Sequence, residues 1–116
     1  MEKLQQSITV PLKKEDTKPW FVYLIENRLG QLYTGITTDP CRRIRQHRGD
    51  IGGGAKSLRG KAPLLFKKVL RVENRATASS LEYEIKALDR KQKEALIAGT
   101  KTLSAPCSDV TSAFTG

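Results

Sequence analysis

Residues 20–47, WFVYLIENRLGQLYTGITTDPCRRIRQH, contain two short apolar runs with one tyrosine each, followed by a basic stretch that begins at a proline. The runs 21–25 and 31–36 are rich in β-branched and aromatic residues, and the Asn and Gly between them can form a tight turn. The pattern predicts a β-hairpin. Tyr23 and Tyr33 would then lie on paired strands, close enough to line one patch if their registers agree.

A short helix is predicted directly after the hairpin. Asp39 is a suitable N-cap and Pro40 fits the first helical position, so the helix should run over 41–47. Arg43 and His47 are four residues apart and therefore share one face of this helix.

The rest of the domain combines one strand with two helices. Residues 64–72 mix apolar and basic residues and predict a third strand, and an amphipathic helix follows that Thr77 or Ser79 can cap. Asp89 can cap a last helix. The order β, β, α, β, α, α, without an internal repeat, predicts an α+β fold in which a small three-stranded antiparallel sheet is flanked by helices.

Composition narrows the class of protein. The 116 residues suit one modest domain, predicted over 20–98, between a flexible N-terminal arm (1–19) and a loose C-terminal tail (99–116). The chain has neither an apolar run near the about 20 residues that span a bilayer nor the apolar centre of a secretory signal, so we expect a cytoplasmic protein without a membrane partner. Cys41 and Cys107, with one histidine and no CxxC pair, form neither a disulfide framework nor a zinc site.

The charge indicates a polyanionic partner. Lys and Arg outnumber Asp and Glu by 21 to 12, a net charge of +9, and the segment 42–71 holds ten basic residues against one acid. Its glycine-rich part 49–62, GDIGGGAKSLRGKA, lacks the pattern of a nucleotide P-loop. It is either a flexible connection or a mobile flap whose basic side chains contact a phosphate backbone. The candidate nucleic-acid-binding residues are Arg42, Arg45, Lys56, Arg59 and Lys61.

The succession of these residues resembles the GIY-YIG nuclease family, in particular its small stand-alone bacterial members of the YhbQ type. The family's first motif appears as FVY at 21–23 and its second as YTG at 33–35. Arg43 follows ten residues after the second tyrosine, His47 comes one helical turn later, and the predicted helix downstream carries Glu82. In the family, an arginine, a histidine or tyrosine, and a helix-borne glutamate occupy these places.

The resemblance implies a metal-dependent phosphodiesterase that acts as an endonuclease on nucleic acid, DNA in preference to RNA, in DNA repair or processing. It also implies a single Mg²⁺ or Mn²⁺ ion as cofactor, with Glu82 as its protein ligand. The catalytic candidates are Tyr23, Tyr33, Arg43, His47 and Glu82.

Phosphodiester hydrolysis offers each candidate a task, because it needs a deprotonated water, neutralised phosphate oxygens and help for the leaving group. The planar fork of Arg43 suits the nonbridging oxygens. Either tyrosine could take or relay the proton of the water if a nearby cation lowers its pKa, and His47 could assist or replace it. Glu82 has a competing explanation, since Ser79-x-x-Glu82 also matches a capping box.

Two other classes of function stay open at this point. A catalytically silent nucleic-acid-binding adaptor could keep the fold and the charge, and a basic structural protein of the ribosome or nucleoid would account for the charge alone. The five-residue set argues against the adaptor, because a pure binder needs neither paired tyrosines nor a carboxylate facing phosphates, and a structural protein would leave the set as a coincidence. The chain shows no counterpart of the active-site asparagine found in excision-repair members, and no separate binding domain, so a protein partner could supply targeting.

Overall fold

The structure is a computed structural model that describes residues 18–114. The strands are β1 (Trp20–Glu26), β2 (Leu32–Thr37), β3 (Leu65–Val72) and β4 (Ser108–Asp109). The helices are α1 (Pro40–Arg48), α2 (Arg75–Lys86) and α3 (Arg90–Ala98), with 3₁₀ turns at Lys56–Leu58 and Thr111–Ala113. Except for its last two residues, the arm predicted at 1–19 lies outside the described residues. Within the described part of the chain, no helix has the length and hydrophobicity to cross a membrane.

The α+β class is confirmed, but the predicted number of three strands is wrong. The sheet has four antiparallel strands in the order β2-β1-β3-β4, because Ser108 and Asp109 pair with the outer edge of β3. The Lys68 ammonium donates to the Asp109 carboxylate at 2.6 Å, and Thr111 Oγ1 accepts from the Val69 amide at 2.9 Å. A two-residue strand has no periodicity that a sequence can reveal, so this part of the expected loose tail could not be recognised as part of the sheet.

The predicted hairpin and first helix are both confirmed. The Asn27 side chain accepts hydrogen bonds from two amides of the turn, and Gly30 adopts a φ of +78° that favours glycine. Asp39 caps α1 by accepting from the Arg42 amide at 3.1 Å. The helix ends at Gly49, which has a φ of +89°.

The second helix starts earlier than the sequence predicted. Its N-cap is Asn74, whose side chain accepts from the Thr77 amide at 2.8 Å, and not Thr77 or Ser79. Asn is as strong a capping residue as Ser, and starting one turn earlier lets α2 bury Ala78. Ser79 therefore lies inside the helix, and the capping-box explanation of Glu82 is wrong. Asp89 caps α3 as predicted.

The sheet carries an apolar layer on each face, because successive side chains of β1 point to opposite faces. Val22 and Leu24 pack with Leu81 of α2 and with α3. Tyr23 lies on the other face, with Ile44 of α1 and the turn at Lys56–Leu58. Tyr23 is therefore enclosed by α1 and by the glycine-rich segment that follows it.

Candidate active site

The two tyrosines lie on the same face of the hairpin, as predicted. Tyr23 pairs with Gly35, and Ile25, two residues along β1, pairs with Tyr33. The ring centroids of the two tyrosines are 6.3 Å apart, with Tyr23 buried and Tyr33 half-buried. The Tyr23 ring crosses Gly35, where an added Cβ would lie 2.6 Å from its Cζ atom. Glycine is required at 35 because the tyrosine needs this space.

Helix α1 brings His47 between the two tyrosines. The side chain is 3% exposed, and its Nε2 atom lies 2.9 Å from the Tyr23 hydroxyl oxygen. Its ring meets the Tyr33 ring edge-to-face, with centroids 5.2 Å apart. The predicted shared face of α1 therefore points into the tyrosine pair.

The direction of the bond between His47 and Tyr23 follows from a third contact. The Ala55 amide donates to His47 Nδ1 at 3.1 Å. A backbone N–H can only donate, so Nδ1 is unprotonated and Nε2 carries the proton in the neutral ring. His47 therefore donates to the Tyr23 oxygen, and the hydroxyl proton of Tyr23 is left for another acceptor.

Burial perturbs the titration of both groups. It raises the pKa of Tyr23 to about 12, although the hydrogen bond and charge of the adjacent Arg43 oppose this. Burial, followed by the charge of Arg43, lowers the pKa of His47 to about 4. At neutral pH the pair consists of a phenol and an uncharged imidazole. His47 is consequently a proton donor to Tyr23 at this pH and has no free lone pair.

Two hydrogen-bond acceptors fix the guanidinium group of Arg43. Its Nη1 atom donates to Gln46 Oε1 at 2.7 Å and to the Gly53 carbonyl at 2.9 Å. These two bonds use both hydrogens of Nη1 and leave the hydrogens of Nη2 and Nε for other partners. The guanidinium is held beside the Tyr23 hydroxyl, where a phosphate oxygen could be bound.

Glu82 lies on α2, the helix that packs in the opposite layer against β1 and β2. It is close enough for its charge to raise the pKa of Tyr23. Its side chain is 25% exposed and pairs with the Lys86 ammonium at 3.2 Å. Glu84, two residues on, instead accepts hydrogen bonds from the amide and hydroxyl of Ser104. Glu82 is thus the carboxylate of α2 whose charge acts on the Tyr23 hydroxyl.

The donor set fits a hydrated hard cation better than a fully protein-coordinated one. Among residues 18–114, no cluster of three or more His, Cys, Asp or Glu side chains could hold a metal. A single carboxylate that leaves most positions to water suits Mg²⁺ or Mn²⁺, whereas structural zinc needs four protein ligands. The Lys86 ammonium pairs with Glu82 at 3.2 Å, so a metal ion at this carboxylate would compete with it.

The predicted nucleic-acid-binding residues lie on α1 and on the glycine-rich segment that follows it. Four of them are exposed, and Lys61 is half-buried. The glycine-rich segment that carries three of them is anchored, not free: Leu58 is 2% exposed, and the Arg28 amide donates to the Lys61 carbonyl at 2.8 Å. Gly53 and Ala55 also bond to α1, so the segment has contacts along its length. The glycine run is visible in the sequence, but which carbonyl and amide contact Arg43 and His47 could not be predicted, since any residue offers a carbonyl and almost any an amide.

The sequence profile of the GIY-YIG catalytic domain matches residues 19–95, which include the hairpin, α1 and α2. The chain belongs to this family. It is 54% identical over 82 residues to a UPF0213 protein of Vibrio cholerae, covering 70% of this chain and 79% of that protein.

It is also 45% identical over 92 residues to the UPF0213 protein YhbQ of Salmonella typhimurium, covering 79% of this chain and 90% of the relative. These relatives confirm the predicted likeness to YhbQ. The solution NMR structure of the UPF0213 protein BH0048 from Bacillus halodurans is 35% identical, with a TM-score of 0.46, covering 76% of this chain and 99% of that one.

Proposed function

We propose that this protein is a divalent-metal-dependent endonuclease that hydrolyses phosphodiester bonds in nucleic acid, with DNA favoured over RNA. The observation that carries the proposal is the set of groups around the Tyr23 hydroxyl. His47 donates to it, Arg43 lies beside it, and the charge of Glu82 reaches it. A tyrosine that only fills a core needs one hydrogen-bond partner and neither a guanidinium nor a carboxylate.

Tyr23 is the general base in this proposal. Its phenolate takes the proton of the attacking water, and both the His47 donor and the Arg43 charge stabilise that phenolate. Tyr33 packs against the His47 ring and helps to exclude water from it. His47 acts as a donor and not as the base, because its Nδ1 lone pair is occupied by the Ala55 amide.

The phosphate is neutralised from two sides. The free donors of Arg43 bind nonbridging oxygens, whose negative charge grows in the transition state. A Mg²⁺ or Mn²⁺ ion held by Glu82 and water would supply positive charge that lowers the pKa of a water molecule and neutralises the phosphate.

Substrate binding is assigned to the basic side chains of α1 and of the segment after it, namely Arg42, Arg45, Lys56, Arg59 and Lys61. These side chains contact the phosphate backbone without reading bases, so we propose that substrate structure or a protein partner supplies targeting. DNA repair or processing in the bacterial cytoplasm is the role that such an activity would serve.

The decisive experiment is a cleavage assay with Mg²⁺ and with Mn²⁺ on duplex, single-stranded, flapped and branched DNA and on structured RNA. Glu82→Gln should reduce cleavage by orders of magnitude while binding persists, because the carboxylate faces phosphates. Glu84→Gln is the matched control on the same helix, and it should cut at the parental rate because Glu84 binds Ser104. Equal rates in the two variants would contradict the role of Glu82.

A catalytically silent nucleic-acid-binding adaptor is the second candidate. The observation in its favour is the Lys86 ammonium on Glu82, which places a protein cation where the proposal requires a metal ion. Binding to the same substrates with no turnover in either metal would favour the adaptor over the endonuclease.

A further inference from the structure

We infer that the backbone of residues 53–55 is a positioning element of the active site, which fixes the protonated nitrogen of His47 and the orientation of Arg43. The inference rests on the proposed function for its effect on turnover, but not for its structural content. Two groups carry it: the Gly53 carbonyl accepts from Arg43 at 2.9 Å, and the Ala55 amide donates to His47 at 3.1 Å.

The Ala55 amide decides which way the hydrogen bond between His47 and Tyr23 runs. With the amide in place, His47 Nδ1 must accept, so Nε2 donates to the Tyr23 oxygen. Without it, the ring could protonate Nδ1 and accept the Tyr23 hydroxyl proton at Nε2 instead. The phenolate of Tyr23 would then lose a donor, which is the opposite of what a base requires.

The Gly53 carbonyl acts on the guanidinium. Together with Gln46 Oε1, it engages both hydrogens of Arg43 Nη1, so the plane of the fork cannot rotate without breaking a bond. Gly53 presents this carbonyl from a backbone with a φ of +100°, a conformation that favours glycine.

Gly54 allows the segment to approach α1 closely. An added Cβ would lie 2.7 Å from the Gln46 carbonyl carbon and 2.9 Å from the His47 Cα atom. Both are backbone atoms of α1, which cannot move aside as a flexible side chain could. Gly52 is different, since an added Cβ there has no neighbour within 4 Å and its φ is not in the left-handed region. The two glycines provide a variant and its matched control.

The tautomer can be measured directly, because His47 is the only histidine in the chain. In the ¹⁵N-labelled protein we expect a pyridine-type shift for Nδ1, a pyrrole-type shift for Nε2, and a scalar coupling across the hydrogen bond between Ala55 N and Nδ1. A protonated Nδ1 with no such coupling in the unmodified protein would overturn the inference. This measurement does not depend on cleavage.

Gly54→Ala should move both ring nitrogens toward averaged shifts and lower kcat by about ten- to a hundredfold, since small misplacement of reacting groups is costly, with KM unchanged. Gly52→Ala should leave the shifts and kcat unchanged. Equal behaviour of the two variants would contradict the positioning role.

Because Gly54→Ala could disturb the fold more widely, a second modification tests the single donor. An ester in place of the amide between Gly54 and Ala55 removes one N–H and no side-chain atom. The inference expects mixed tautomers and a lower kcat, and an ester variant that keeps one tautomer and full kcat refutes it. If the unmodified protein does not cleave at all, the proposed function fails, and the nitrogen shifts still decide the positioning of His47.

Discussion

The buried histidine gives the stability of this protein a pH dependence of defined sign. His47 is 3% exposed, and burial with the charge of Arg43 lowers its pKa from 6.5 to about 4. Between these two values the unfolded chain binds a proton that the native protein does not bind. The free energy of unfolding must therefore fall as the pH is lowered through this range.

The two pKa values also set the size of the effect. The difference between 6.5 and about 4 corresponds to about 3 kcal/mol of unfolding free energy, of which about 2 kcal/mol should be lost between pH 7 and pH 5. Asp109 does not interfere, because its hydrogen bonds from Lys68 and Thr111 lower its pKa from 3.8 to about 2. The contribution of Asp109 to the unfolding free energy is lost only as the pH falls from 3.8 toward about 2.

Urea unfolding followed by circular dichroism at pH 5, 6 and 7 measures this loss. The control is His47→Gln, because a glutamine amide does not titrate and can still accept from Ala55 and donate to Tyr23. The variant should show a much flatter profile. Equal unfolding free energies of the parent at pH 5 and pH 7, or the same slope in both proteins, would refute the buried neutral state of His47.

Four further results are expected. Because the Tyr23 pKa is raised to about 12 and its deprotonated form is the proposed base, cleavage should increase about tenfold per pH unit from pH 7 to 9, and Tyr23→Phe should remove activity at every pH. Lys86→Met should tighten Mn²⁺ binding, measured by calorimetry, since its ammonium competes for Glu82 at 3.2 Å, and unchanged affinity would argue against that competition. Affinity for duplex DNA should fall with salt, each contacted phosphate adding about −0.9 to the log–log slope, whereas a flat profile would exclude these basic side chains of α1 and the segment after it as the binding site. Asn74→Ala should lower the unfolding free energy by about 0.5–2 kcal/mol while Ser79→Ala changes little, and the reverse ranking would return the N-cap to Ser79.

Local signals in the sequence were sufficient for the hairpin and for α1. The Asn and Gly of the turn, and Asp39 followed by Pro40, specify their conformations through contacts within a few residues. The same reasoning placed Tyr23 on a paired strand and Arg43 and His47 on one helix face, because strand pairing and the four-residue helical spacing are regular.

Contacts between distant segments could not be predicted in this way. Lys68 and Asp109 are 41 residues apart, and neither residue type is typical of paired strands, so their pairing could not be predicted. Asn74 and Ser79 are comparable caps, so capping preference alone could not decide between the two helix starts. The anchoring of the glycine-rich segment depends on the Ala55 amide, which every non-proline residue would provide. These features could be recognised only once the three-dimensional packing was known.

The placement of Glu82 in the layer opposite the tyrosines has a consequence for synthesis of the chain. A nascent polypeptide that has emerged only to the end of β3 carries Tyr23, Arg43 and His47, but its carboxylate is still inside the ribosome. Even after release, α2 must dock on the far face of the sheet before the charge of Glu82 can act on Tyr23. On the proposed function, the chain is therefore not a competent nuclease until α2 has been synthesised and has packed on the sheet.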